Sequence, residues 1–216
     1  MARVKICGIN DPASIDAAVE GGADWTGFNF FPPSPRFVTP SRARELMARH
    51  KDGPPRVGLF VNATEAAIAE VLAEVHLDIL QLYGTGADLP LLRARFARPI
   101  WRPVAVAAAA NLPVGLDGAD ALLLEAKPPA DATRPGGNAV RFDWTLTRGW
   151  SPPGPWLLAG GLDPGNVMQA IRLSGADAVD VSSGVERSTG VKDPALILAF
   201  IRNARAGQGD GPAGSE

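Results

Sequence analysis

Eight short apolar runs rich in Val, Ile, Leu and Phe recur along this chain, at about 3–7, 25–31, 56–61, 78–83, 100–106, 120–125, 155–160 and 177–182. Ala-rich stretches with helical spacing separate most of them, at 12–21, 40–50, 64–75, 88–96, 164–173 and 193–205. Strands that alternate with helices pair in parallel, and nearly continuous hydrophobicity suits strands covered on both faces. A chain of 216 residues accommodates one such domain, and folding buries roughly 70 % of its unfolded surface. The expected fold is α/β, a single (β/α)8 TIM barrel over residues 1–206. An open doubly wound sheet is the competing arrangement.

A repeated triplet argues for closure. Gly22-Ala23-Asp24, Gly118-Ala119-Asp120 and Gly175-Ala176-Asp177 precede the second, sixth and eighth runs, and Leu77-Asp78 leads into the fourth. Each glycine can take the left-handed conformation that ends a helix. The aspartates fall at strand starts, the face of a barrel that serves stability. Two segments break the rhythm. After the fifth strand, Ala107 to Ala110 is too short for a crossover helix, and Asn111-Leu112-Pro113 ends it. After the sixth, residues 126–143 hold Pro128, Pro129, Pro135, Gly136 and Gly137 with little periodicity, so a long, lid-like loop is expected. The polar, Gly-rich stretch 207–216 reads as a disordered tail.

Composition removes several functions. A net charge of −2 supplies no basic face for nucleic acid. No apolar run reaches the roughly 18 residues that a membrane span needs. Met1-Ala2-Arg3-Val4-Lys5 enters a strand pattern without a signal-peptide core. Cys7 is the single cysteine, which forbids an intrachain disulfide and suits a reducing cytoplasm. His50 and His76 lack metal-ligand neighbours at standard spacing, so no metal is expected.

Side chains alternate along a strand. With Val4 and Ile6 facing the helices, Lys5 and Cys7 turn inward; in the eighth strand Asp180 and Ser182 do the same. These strands are neighbours in a closed barrel, so Lys5 and Asp180 are expected to form a buried ion pair beneath the site. Cys7 closes the first strand at the end where barrel active sites form. A nearby cation would lower its pKa and make the thiol an adequate base. Glu125 ends the sixth strand across the barrel, where burial would keep it protonated as a general acid. Arg36 follows the proline-stiffened Phe31-Pro32-Pro33-Ser34-Pro35, and a guanidinium suits bidentate capture of a carboxylate. Gly160-Gly161 after the seventh strand, before a helix opening at Asp163-Pro164, and Ser182-Ser183-Gly184 after the eighth suit a phosphate monoester.

Assembled in order, these residues make the chain similar to phosphoribosylanthranilate isomerases from Lys5 to about Phe200. The likeness rests on Lys5-Ile6-Cys7-Gly8, on Gly27-Phe28-Asn29-Phe30-Phe31-Pro32-Pro33-Ser34-Pro35-Arg36-Phe37-Val38, and on Val57-Gly58-Leu59-Phe60-Val61-Asn62. It continues through Leu77-Asp78-Ile79-Leu80-Gln81-Leu82-Tyr83-Gly84, Phe142-Asp143-Trp144, Leu158-Ala159-Gly160-Gly161-Leu162 and Val179-Asp180-Val181-Ser182-Ser183-Gly184-Val185-Glu186. The resemblance implies an Amadori rearrangement of an N-phosphoribosyl aromatic amine to a 1-amino-1-deoxyribulose phosphate in tryptophan biosynthesis, without cofactor. It assigns the base to Cys7 and the acid to Glu125. Arg36 would meet the anthranilate carboxylate, Gln81 and Asp180 would contact substrate, and the glycine and serine clusters would hold phosphate. The partner implied is this small phosphorylated substrate, handled by a cytoplasmic monomer or homodimer. Four positions depart from the family pattern. Glu125 replaces an aspartate and so carries its carboxyl about 1.5 Å further. Gly136-Gly137-Asn138-Ala139-Val140 replaces Gly-Gly-Thr-Gly-Lys, Tyr83 replaces a histidine, and Asn29 replaces an apolar residue. A related isomerase of another phosphorylated amino sugar, or a non-catalytic binder, are the alternatives these departures leave open.

Overall fold

The computed structural model describes residues 1–84, 86, 88–127 and 141–207. Eight parallel strands close into a barrel in chain order: β1 (Arg3–Cys7), β2 (Trp25–Asn29), β3 (Arg56–Val61), β4 (Ile79–Tyr83), β5 (Ile100–Val106), β6 (Ala121–Ala126), β7 (Trp156–Leu158) and β8 (Ala178–Val181). The seam between β8 and β1 sets Lys5 opposite Asp180. Helices α1 (Pro12–Glu20), α2 (Pro40–Met47), α3 (Glu65–Glu74), α4 (Leu89–Phe96), α5 (Val167–Ser174) and α6 (Pro194–Ala206) cover the outside. Asp11, Thr39, Thr64, Asp88 and Asp193 start five of them, each side chain accepting a backbone N–H of the first turn. As expected, β5 is followed only by a 3-10 turn, Ala109–Asn111. A second 3-10 turn, Trp144–Thr147, precedes β7. Most of the expected long loop, residues 128–140, and the tail beyond Gly207 lie outside the described residues.

Of the boundaries that differ from expectation, three have a clear local reason. β2 ends at Asn29 rather than residue 31, because the Asn29 carboxamide accepts the Phe31 N–H at 2.9 Å and turns the chain. β7 ends at Leu158, because Gly160 and Gly161 take φ of +82° and +63°. The helix expected from Pro164 begins at Val167 instead. Asp163 Oδ1 accepts from both the Gly165 and Asn166 N–H groups, and that turn occupies the residues ahead of the helix. A short hairpin absent from the sequence reading, β9 (Glu186–Ser188) with β10 (Val191–Lys192), follows β8.

The core has two parts. A large apolar cluster fills the space between sheet and helices. A smaller one plugs the barrel floor, where Val57, Ile79, Trp101, Leu123 and Leu157 meet, with Trp25 set edge-on to Trp101 at 5.2 Å. The strand-start aspartates are structural, as predicted, and their geometry repeats. Asp24, Asp78 and Asp120 each accept a neighbouring strand's N–H through the carboxylate, from Val4, Arg56 and Ile100 at 2.8, 2.7 and 2.8 Å. Each returns its own N–H to the same residue's carbonyl. All three glycines of the triplets are left-handed, but only Gly175 directly caps a helix. Among the described residues no helix is long and apolar enough to cross a membrane.

Replacing Asp24 with Ala strands the Val4 amide, which is fully buried. Denaturant unfolding should register a loss of about 1–3 kcal/mol. An unchanged midpoint would mean that the carboxylate bonds contribute nothing.

Candidate active site

The C-terminal strand ends surround a cleft that opens to solvent. Cys7, Glu125, Arg36 and Asp180 line it, together with Gly160, Gly161, Ser182 and Ser183. Gln81 does not reach it. Its side chain is fully buried below the cleft, where the amide donates to the Tyr83 hydroxyl at 3.3 Å.

Lys5 and Asp180 meet at 2.7 Å, as the strand alternation predicts. Burial is the largest single influence and works against the Lys5 ammonium, but Asp180 and Cys7 together outweigh it, and the pKa rises above the ordinary lysine value. Gly27, beside Cys7 on the neighbouring strand, makes this arrangement possible. A Cβ there would stand 3.1 Å from the Cys7 sulphur and 3.3 Å from Lys5 Nζ. Ammonium and thiol therefore share one corner of the barrel. The cation does not lower the thiol's pKa as the sequence reading expected. Burial dominates and pushes Cys7 up, with Lys5 and Lys192 opposing and the Asp180 charge adding to the rise. The resting side chain is a neutral thiol.

Glu125 is 7 % exposed, and its pKa is pushed up to about 8, first by burial and then by the charge of Asp180. It enters neutral solution carrying the proton a general acid must donate. Tyr83 donates to Glu125 Oε2 across a long 3.4 Å contact, so the Gln81 amide, the phenol and the carboxyl run in line toward the cleft.

Gly160-Gly161 and Ser182-Ser183 form the opposite rim. The N–H groups of Gly160, Gly161, Ser183 and Gly184 donate to no protein acceptor among the described residues. They are the kind of convergent donors that suit an anion. Gly184 lies behind this rim. A Cβ there would overlap the Leu162 carbonyl, so the two arms of the cradle touch backbone to backbone.

Arg36 is 3 % exposed rather than presented on a mobile loop. Its Nε and Nη2 donate to the two carboxylate oxygens of Glu186 at 2.6 and 2.9 Å. Burial acts against Glu186, yet Arg36, Lys192 and the Gly190 N–H hold its carboxyl at about 2. Glu186 and Lys192 are site residues that sequence reasoning missed. Both sit in a short polar segment, where a charged side chain reads as solvated, and only the β9–β10 hairpin folds them inward.

A family model described as N-(5'phosphoribosyl)anthranilate (PRA) isomerase matches residues 4–203. The chain is 52 % identical over 206 residues to the N-(5'-phosphoribosyl)anthranilate isomerase of Acidiphilium cryptum (strain JF-5), covering 95 % of this chain and 100 % of that protein. The chain belongs to the N-(5'-phosphoribosyl)anthranilate isomerase family. Among solved structures, the phosphoribosyl anthranilate isomerase of Thermotoga maritima superposes with a TM-score of 0.83 at 36 % identity, over 95 % of this chain and 100 % of that one. A phosphoribosyl anthranilate isomerase in complex with reduced 1-(o-carboxyphenylamino)-1-deoxyribulose 5-phosphate matches with a TM-score of 0.80 at 34 % identity, with the same coverage.

Two departures from the usual pattern of N-(5'-phosphoribosyl)anthranilate isomerases acquire a local explanation. Asn29 donates to Ser34 Oγ at 3.1 Å and accepts from Phe31, so its amide ties down the proline-rich loop. Tyr83 stands beside the longer acid and meets its carboxyl. The altered Gly136-to-Val140 segment lies outside the described residues.

The Glu125 shift has a measurable sign. Its folded pKa, about 8, exceeds the ordinary 4.5, so the native state favours the protonated form. Stability is fully present below the lower value and falls as pH rises toward the higher one. At roughly 1.4 kcal/mol per unit, the loss is on the order of 2–5 kcal/mol. Glu125→Gln removes it. Unfolding free energies of the two proteins should diverge in favour of the variant between pH 5 and pH 8.5, whereas parallel curves would show a carboxyl ionised throughout.

Proposed function

We propose that this chain is an N-(5'-phosphoribosyl)anthranilate isomerase, using Glu125 as general acid and Cys7 as general base. One observation carries the assignment of roles: a neutral, buried carboxylic acid and a thiol line the same cleft, whose rim offers unpaired backbone donors. Glu125 gives its proton to the furanose ring oxygen. The C1′–O4′ bond breaks toward that oxygen as the nitrogen lone pair forms a C1′=N iminium. The iminium acidifies C2′, and the Cys7 thiolate removes that proton. The electrons of the broken C–H bond form C1′=C2′ and neutralise nitrogen. The resulting enolamine takes a proton at C1′ and releases one from the 2′-hydroxyl, giving the ketone.

Phosphate held by Gly160, Gly161, Ser182, Ser183 and Gly184 would fix the far end of the ribose. The part of Arg36 not engaged by Glu186 would meet the anthranilate carboxylate, and Asp180 would act from the cleft wall through Lys5. Gln81 contributes from below, by orienting Tyr83. Such an enzyme works without cofactor in the cytoplasm, as a monomer or homodimer, in tryptophan biosynthesis. A non-catalytic binder would tolerate Glu125 turned to solvent, but the carboxyl is buried. A switch to a more polar substrate would want free polar groups at Asn29, whose amide is engaged by its own loop.

Turnover of phosphoribosylanthranilate by the purified protein is the direct test, and its absence would end the reading. Cys7→Ser and Glu125→Gln should each lower kcat by roughly 10²–10⁴-fold. The pH profile carries a second test. The productive form pairs a protonated Glu125 with an ionised Cys7, although the acid's pKa of about 8 lies below the raised thiol value. kcat/KM should therefore climb with pH to about 8 as thiolate accumulates. It should then level off while the acid ionises, and fall above the thiol pKa. A profile already declining through pH 7 would contradict this assignment of protons.

A further inference from the structure

Among the described residues, Lys192 is the one buried cation that the chemistry above does not use. Its side chain is fully shielded from solvent, and its ammonium donates to the Ser182 carbonyl at 2.8 Å and to Glu186 Oε1 at 3.0 Å. A longer contact, 3.4 Å, reaches Ser182 Oγ. Lys192 does not line the cleft; it stands behind the rim that does. We propose that Lys192 is the positioning cation of the phosphate cradle, acting on the ligand through the Ser182–Ser183 peptide group.

Two observations support this. The first is directional. The Ser182 carbonyl and the Ser183 N–H belong to one trans peptide unit and point opposite ways. An ammonium on the carbonyl polarises that unit and strengthens the N–H as a donor on the other side, where the cleft lies. The second is electrostatic. Lys5 pairs with Asp180, and Arg36 takes both oxygens of Glu186, so Lys192 shares a carboxylate that is already engaged. The buried group of Lys5, Arg36, Lys192, Asp180 and Glu186 holds one cation in excess. Buried, uncompensated charge is costly, and a phosphate on the rim compensates it. The inference rests on the cradle reading above, but not on which sugar carries the phosphate.

Binding of inorganic phosphate, measured by calorimetry on the intact protein, tests it without turnover. Lys192→Met should raise the dissociation constant on the order of tenfold, the size of one charge-assisted hydrogen bond. Glu186 also anchors Arg36 and the hairpin, so the comparison is made at Lys192 itself. Lys192→Arg, which keeps the charge, should weaken phosphate binding less than Lys192→Met does. A role in packing alone predicts equal weakening in both variants, so that result overturns the proposal, as does unchanged binding by Lys192→Met. Should Lys192→Met fail to fold, Lys192→Gln takes its place with the same expectation. In the unaltered protein the Ser183 amide resonance should move on titration with phosphate, and a stationary signal also overturns it. On phosphoribosylanthranilate, Lys192→Met should raise KM by more than it lowers kcat. If the unaltered protein binds phosphate as described but turns over no phosphoribosylanthranilate, the proposed activity falls and the role of Lys192 stands.

Discussion

The Lys5–Asp180 pair closes the barrel where its ends meet and sets the electrostatics of everything above it. It spans the seam between β1 and β8 with an ammonium that has no contact with solvent. Removing one member of such a pair leaves a buried, uncompensated charge and typically costs about 3–5 kcal/mol. The pair also sets proton positions. The Asp180 charge raises both Glu125 and Cys7, while Lys5 opposes it at both. Burial gives both shifts their main direction, and the pair at the seam of the fold adjusts them.

Glu186 plays a comparable part at the rim. It holds Arg36 through two hydrogen bonds, accepts from the Gly190 N–H at 3.0 Å, and shares Lys192 with the Ser182 carbonyl. One carboxylate thus connects the loop after β2, the hairpin after β8 and, through Lys192, the Ser182 end of the cleft rim. Asn10 adds a further tie, donating to the Gly190 carbonyl at 2.8 Å. Arg36 is positioned by this network more than by the prolines that precede it.

Much of this was legible in the chain. The apolar runs located all eight strands, because parallel strands buried on both faces must be continuously hydrophobic. Alternation along β1 and β8 was enough to pair Lys5 with Asp180. Glu125 was readable as a buried acid from its place after Leu122-Leu123-Leu124. The failures have several causes, most of them side-chain contacts and burial that spacing does not encode. Nothing in the spacing of Lys192 or Glu186 shows that a short hairpin turns them inward. The resemblance put Gln81 at the substrate, yet its buried side chain does not line the cleft. Asn29 does line the cleft, and its amide also closes a turn that the sequence does not announce. The thiol's pKa went the other way because a cation's presence can be inferred from sequence, whereas the weight of desolvation against it cannot.

The thin cover over β5 has a dynamic consequence. Its register with β4 involves Ile100 and Trp101, whereas its pairing with β6 continues up to Val106. Pro103 has no N–H to offer a ladder, and only a 3-10 turn follows the strand. Local opening favours segments with sparse packing and few shared hydrogen bonds. Amide deuteration should accordingly begin in the upper half of this stave, whose Ala105 lies in register with Glu125. Glu125 then lies beside the stretch of wall expected to open ahead of the other staves.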